Sequence, residues 1–342
     1  MNRYQYFLKR LLLVIPTFIG ITIACFSLTQ FVPGGPIDQY MARMQGAQGE
    51  MASESTVSEE QKEALRKEFG FDKPIVVQYW DWLWHDRMGM MRNSYKYTNK
   101  KAWELIVERF PVSLIFGVTG FVITYLVCIP LGIFKAIKDG SFLDISSSII
   151  VFIGYSIPAF AFGMLLKMLL SGTQDWGWDW FPLSGFRSDH YMDLTPWGQV
   201  KDVIHHMFLP VLCYMIGNFA LLTILMKNSL LEEINKDYVR TVLARGGSVQ
   251  RAIWGHALRN SLIPIATGFG GILTLMFAGN VLIEKVFEIP GMGRLSLEAI
   301  VSRDYAVFMA LISVTSVLAL LGNILTDFLY VIIDPRINFK KS

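Results

Sequence analysis

The chain has 342 residues, 53% of them hydrophobic and only 17% charged, with a net charge of +3 and a mean hydropathy of +0.40. Soluble domains carry about 25% charged residues, so this composition excludes an ordinary soluble domain. The lack of a basic face on any soluble stretch excludes a nucleic-acid partner. The charge depletion is local, with long uncharged runs alternating with polar segments, and predicts an all-α integral membrane protein in contact with the lipid bilayer.

Six segments are long and apolar enough to cross a bilayer, which takes about 20 residues. They lie near 11–32, 112–134, 145–170, 207–226, 262–283 and 306–333. The first is too long for a signal h-region and reads as an uncleaved anchor. The chain divides into a tail and first span (1–32), an outer segment (33–111), a five-span core (112–333) and a tail (334–342). Lys/Arg placement sets the orientation. Arg3, Lys9 and Arg10, then Lys135 and Lys138, the loop 227–261, and finally Arg336, Lys340 and Lys341 fall on one side. The connection 171–206 has only Arg187 and Lys201 against five aspartates. Both termini and the loop 227–261 are therefore expected in the cytoplasm.

In the outer segment, Ser58-Glu59-Glu60-Gln61 has the form of a capping box opening a helix. Next comes GFDKPIVVQYWDWLW, in which Trp80 and Trp84 at i, i+4 share a helix face. That spacing predicts a helix lying in the membrane interface with its indoles at headgroup level. Trp176, Trp178 and Trp180 read the same way.

The loop 227–261 has six basic residues, Lys227, Lys236, Arg240, Arg245, Arg251 and Arg259, against Glu232, Glu233 and Asp237. From Leu230, the residues Leu231, Ile234, Tyr238 and Val242 recur at helical spacing and predict one amphipathic helix. Gly246-Gly247 ends it, and Ser248 caps a second helix through Val249, Ile253, Trp254, Ala257 and Leu258. Pro264 marks entry into the fifth span. The composition leaves two destinations open: an anionic lipid surface or a cleft on another protein.

Polar residues within spans are costly and often functional. Asn218 and Asn280 are the candidate pathway residues, and Asn323 and Asp327 are further polar positions. Asp327, near the cytoplasmic end, is expected to pair with a basic residue of the loop. Lys167 is expected to snorkel. Cys25, Cys128 and Cys213 read as small buried apolar residues. His205-His206 cannot face one way on a helix and have no third ligand nearby, so no metal site is expected. No Gly-x4-Gly-Lys-Ser/Thr phosphate loop occurs, nor any catalytic constellation. The chain is expected not to be an enzyme and to hold no cofactor of its own.

The stretch DYVRTVLARGGSVQRAIWGHALRNSLIP resembles the cytoplasmic loop motif of binding-protein-dependent ABC import permeases, at Tyr238, Arg240, Ala244, Gly246, His256, Leu258, Arg259, Asn260 and Pro264. The spacing from Gly246 to Pro264 is similar to the dipeptide/oligopeptide/nickel branch. LKRLLLVIPTFIGITIACFSLTQFVPGGP, GFDKPIVVQY, ELIVERFPVSLIFG, LIEKVFEIPGMGRLSLEAIVSRDYAV and the C-terminal Tyr330 with Asp334-Pro335-Arg336 follow that branch in order. The Gly-Gly-Pro ending and the long insert before Ser58 most resemble its Yej-type peptide permeases.

The resemblance implies a type I ABC importer permease fold and one membrane subunit of an ATP-driven importer of peptides or peptide-like solutes. Its implied partners are a second, homologous permease, two ATP-binding cassette subunits carrying ATP and Mg, and an extracytoplasmic binding protein. Nickel complexes or opines are alternative cargoes on the same scaffold, and an ion-coupled secondary transporter is the rival class. Residues of the loop implied to couple to the ATPase are Tyr238, Arg240, Ala244, Gly246, Gly247, Ile253, Trp254, His256, Arg259 and Pro264. Among them Ile253 and Trp254 would supply apolar bulk for a pocket, His256 and Arg259 would reach carboxylates or carbonyls, and Gly246 would set the angle. Two departures stand out. Gly247 adds a second glycine, expected to loosen the corner. Asp86-Arg87-Met88-Gly89 replaces the family's Gly-Asp-Leu-Gly.

Overall fold

Long apolar runs become long helices because a chain in lipid must satisfy every backbone polar group within its own segment. The computed structural model describes residues 3–31, 63, 67, 72–97, 99–172, 177–266, 268 and 279–333. Its regular structure is helical, and the only β pairing among the described residues is two isolated bridges, Asn93 with Lys101 and Ser171 with Asp179. Among the described residues, four helices are long and apolar enough to span: α1 (Arg3–Phe31), α3 (Ala102–Ile137), α6 (Pro196–Ile234) and α13 (Tyr305–Ile333). A short helix, α2 (Ile75–Trp80), precedes α3.

The third expected span is not straight. It consists of α4 (Phe142–Ser156) and α5 (Ala159–Leu170), bent by 95°. Ile157 has extended backbone (φ −95°, ψ 122°) ahead of Pro158. A residue before proline is pushed out of the helical region, and proline has no N–H to continue the ladder. The bent pair brings the candidate spans to five. Half of the fifth expected span, 262–283, lies outside the described residues, as do the capping box at Ser58, the first span's Gly-Gly-Pro ending, Trp176 and the C-terminal Asp334-Pro335-Arg336.

The chain divides into two units. One comprises Met1–Leu11, Pro111–Arg294 and Leu318–Ser342. Its core packs Phe116, Met207, Leu209, Cys213 and Tyr214 against Ile283, Phe287 and Ile289. Lys135 is not a loop cation here. It is 1% exposed and donates to Asp144 O, Ser147 Oγ and Ser148 Oγ, with Asp144 Oδ1 at 3.0 Å. Lys227 Nζ lies 2.7 Å from both Asp139 and Asp144. Lys167 has a partner within the protein, donating to Val286 O at 2.9 Å.

The other unit comprises Leu12–Phe110 and Leu295–Val317. Its anchor is Trp82, 1% exposed and packed with Phe26, Tyr79 and Met309. Helix α2 runs into a π turn, Asp81–His85. Trp80 and Trp84 face outward, 48% and 70% exposed, as their spacing predicts, while Trp82 between them turns inward. Arg87, Met88 and Gly89 all have positive φ, so the Asp86-Arg87-Met88-Gly89 departure is a left-handed turn. A β-carbon at Gly89 would lie 2.7 Å from Trp82 Nε1. Asp304 caps α13 through Val307 N and accepts from Ser94 Oγ and Lys96 N, fastening the segment before α3 to the start of α13.

Candidate functional site

The loop after α6 is built as a rigid corner. Helix α6 runs on to Ile234 and ends at Asn235, whose side chain donates to Leu231 O. The expected single helix from Leu230 is therefore two pieces, the end of α6 and α7 (Asp237–Ala244), parted by the extended backbone of Lys236. Glu233 ties the pieces together by accepting from Lys236 Nζ, Tyr238 Oη at 2.6 Å and Asn260 Nδ2. Asn260 Nδ2 also donates to Tyr238 Oη. Burial and the adjoining Glu233 carboxylate push the Tyr238 phenol up, keeping it a neutral donor. Tyr238 thus braces the loop from within.

The two glycines have different reasons to be there. Gly246 N donates to Leu243 O at 2.9 Å and Gly247 N to Val242 O at 3.0 Å, the paired bonds of a Schellman motif. Gly246 holds φ +81° with open space around its α-carbon. At Gly247 a β-carbon would lie 2.8 Å from Val242 O and Cγ1. The second glycine allows a close backbone approach, so it tightens the corner rather than loosening it.

Ser248 then caps α8 (Val249–Ala252), accepting from Arg251 N. A π turn at Ile253–Ala257 and α9 (Leu258–Ser261) follow, and α10 (Ile263–Ala266) begins after Leu262. Ile253, Ala257, Ser261 and Ile265 are all buried, although a strict α repeat would rotate i+4 positions by about 40° per step. The wider π turn keeps them on one inward face.

This corrects the expectation for Ile253, which is 7% exposed and lies inside the loop's own core with Ile133, Met226, Leu230 and Val239. It offers no bulk to an outside pocket. Trp254 does, at 57% exposed, together with Val249 at 62% and Leu243 at 40%. Arg240, Ala244, Arg245, Arg251, His256 and Arg259 are exposed as well. Pro264 lies within α10, half-buried. The loop is pinned where it leaves, Ser229 Oγ donating to Ser261 O at 2.9 Å.

The two candidate pathway asparagines part company. Asn218 lines a cavity of about 350 Å³ with Phe121, Thr124, Tyr125, Tyr214, Leu222 and Gly268 among its walls. Asn280 is a helix cap, its Oδ1 accepting from Ile283 N at the start of α11 (Val281–Val286). Asp327 pairs with Arg10, Nε to Oδ2 2.8 Å, and not with a basic residue of the loop. His205 Nε2 contacts Trp180 O and His206 Nδ1 contacts Asp202 O, two separate backbone carbonyls.

Glu284, which sequence reasoning passed over, is fully buried. Its carboxylate accepts from Ser113 Oγ at 3.1 Å, Asn280 N at 3.2 Å and Arg294 N at 2.7 Å. A β-carbon at Gly291 would lie 2.6 Å from that carboxyl group. The only local signal was a glutamate five residues ahead of IPGMG, and its neighbour Lys285 gave it the look of an ordinary interfacial charge.

Residues 128–339 match the family model described as the binding-protein-dependent transport system inner membrane component. The chain is 36% identical to the peptidoglycan transport system permease protein YejB of Agrobacterium fabrum, with 98% of each chain covered. It is 38% identical to the inner membrane ABC transporter permease protein YejB of Escherichia coli O157:H7, over 98% of this chain and 99% of the relative. It is 35% identical to the dipeptide transport system permease protein DppB of Escherichia coli K12, with the same coverage. With its corner-forming loop and long apolar helices, the chain belongs to the family of inner membrane permease components of binding-protein-dependent ABC transport systems.

Proposed function

We propose that this chain is one of two membrane subunits of an ATP-driven importer of peptides or peptide-like solutes, with six spans and both termini in the cytoplasm. The observation that carries this reading is the surface of the loop corner. Trp254, Val249 and Leu243 stand exposed on a scaffold that buries Ile253 and Ala257 beneath them. An exposed indole on a well-packed base, in a loop whose arginines are also exposed, has the character of an interface anchor.

In this reading the corner seats in a cleft of an ATP-binding cassette subunit. The chain lacks a phosphate loop, so ATP and Mg bind on that partner. Closure of the ATPase pair pushes on the corner, and the spans rock between outward- and inward-facing states. An extracytoplasmic binding protein delivers cargo to the outer face. The peptide assignment rests on the named cargo of the relatives, peptidoglycan and dipeptide. Ion-coupled transport would call for a carboxylate at mid-membrane. Asp327 is instead paired with Arg10.

The test is purification of the chain with the products of neighbouring transport genes, followed by reconstitution into liposomes. Uptake of labelled peptides should require internal ATP, the ATPase subunits and the binding protein. Uptake by the permease alone under an ion gradient would overturn the reading. Uptake of nickel complexes or opines in place of peptides would overturn the cargo assignment only.

A further inference from the structure

We propose that Tyr125 is a positioning latch that carries motion of the loop corner to the wall of the Asn218 cavity. The inference rests on the importer reading above. Tyr125 belongs to two places at once. It packs against the apolar core that holds Val239, Ala252, Ile253, Ala257 and Ile265 beneath the loop. It also lines the 350 Å³ cavity beside Asn218.

The contact to the chain leaving the loop is specific. Tyr125 Oη donates to Ile265 O at 3.3 Å. The phenol also occupies the space above Gly268, where a β-carbon would overlap the hydroxyl and stand 3.3 Å from Cζ. Phe121 stacks on the ring at 4.2 Å, 27° from parallel, one turn earlier on α3.

The mechanical path is short. Ile253, Ala257, Ser261 and Ile265 form one inward stripe running from the corner to the latch. Packed interiors transmit displacement because they are dense and nearly incompressible. A push at Trp254 therefore displaces α10, and with it the Ile265 carbonyl and Gly268. The phenol must then either follow or release, and either response moves the Phe121–Tyr125 face of the cavity. The latch needs a residue without a β-carbon at 268 and a hydroxyl at 125.

The test uses the complete reconstituted transporter and reads peptide uptake and ATP hydrolysis together. Gly268→Ala blocks the phenol from its seat and should lower uptake per ATP by about tenfold, within the range that changes along a coupling network produce. Tyr125→Phe removes the overlapping oxygen and the bond to Ile265, and should lower the same ratio by about threefold. The double variant should recover from Gly268→Ala toward Tyr125→Phe, because deleting the hydroxyl removes the overlap and leaves a 3.3 Å contact to Cζ that a small shift of the ring relieves. A merely structural role would lower assembly or total activity and leave the ratio unchanged.

An unchanged ratio in Gly268→Ala, or a double variant as impaired as Gly268→Ala, would overturn the latch. If Gly268→Ala fails to assemble, Tyr125→Phe alone decides, and a ratio equal to that of the unsubstituted complex overturns the proposal. Absence of ATP-driven uptake in the unsubstituted complex would instead count against the importer reading.

Discussion

Arg10 Nε lies 2.8 Å from Asp327 Oδ2 and joins the first helix of the chain to the last. The Asp327 side chain is 9% exposed and that of Arg10 41%. Breaking a fully buried pair costs about 3 kcal/mol or more. Because Arg10 keeps part of its hydration, Asp327→Asn should cost about 1–2 kcal/mol. Thermal unfolding in detergent of Arg10→Met, Asp327→Asn and the double variant gives the coupling. Additive losses from the two single changes would show that the pair contributes nothing as a pair.

The glycine corner separates two kinds of constraint. Gly246→Ala places a β-carbon on a left-handed residue with open space around it, at a cost of about 1 kcal/mol. Gly247→Ala drives a methyl group into the Val242 carbonyl and must move the backbone. Transport should therefore fall further in Gly247→Ala than in Gly246→Ala. The branched side chain of Gly246→Val should abolish transport while membrane insertion persists. Uptake assays on variants matched for membrane content test the order, and normal uptake by Gly246→Val would sink the coupling role of the corner.

Ile253 and Trp254 are neighbours with opposite environments. Ile253→Ala removes buried volume and should cost about 2–4 kcal/mol of stability. Trp254→Ala should change stability by less than about 0.5 kcal/mol yet weaken capture of the ATPase subunit. Paired melting and co-purification experiments distinguish the two. Loss of stability in both would place Trp254 in the core instead.

Glu284 organises the turn before α12 (Met292–Val301). Glu284→Ala leaves the N–H groups of Asn280 and Arg294 and the Ser113 hydroxyl without their shared acceptor, and should cost about 3 kcal/mol. Glu284→Gln keeps one acceptor oxygen and should cost less. Melting temperatures that fall equally in both would mean that shape, and not acceptance by the carboxylate, holds the turn.

Much of this chain was legible because the relevant signals are local. The span at Tyr305–Ile333, the cap at Ser248 and the corner at Gly246 each follow from a few adjacent residues. Where the reading failed, the cause was non-local or lay in one misleading neighbour. Lys135 carried a loop charge in sequence and is buried against Asp144, Ser147 and Ser148 in the fold. The partner of Lys167, Val286 O, lies 119 positions away in sequence and had no local signal. Pro158 was visible, yet a proline in an apolar run does not announce a bend of 95°.

The sequence by itself determined the class: a helical membrane chain with a glycine-cornered basic loop. Run length, charge depletion and the freedom of glycine act over a few residues and need no partner. Only the tertiary structure decided which face of the loop turns inward. The π turn at Ile253–Ala257 changes the helical repeat, so Ile253 joins the stripe reaching Ile265 while Trp254 is left outside. It also decided that Asn218 meets a cavity and Asn280 caps a helix, because burial and pairing depend on segments that meet only when the chain is packed.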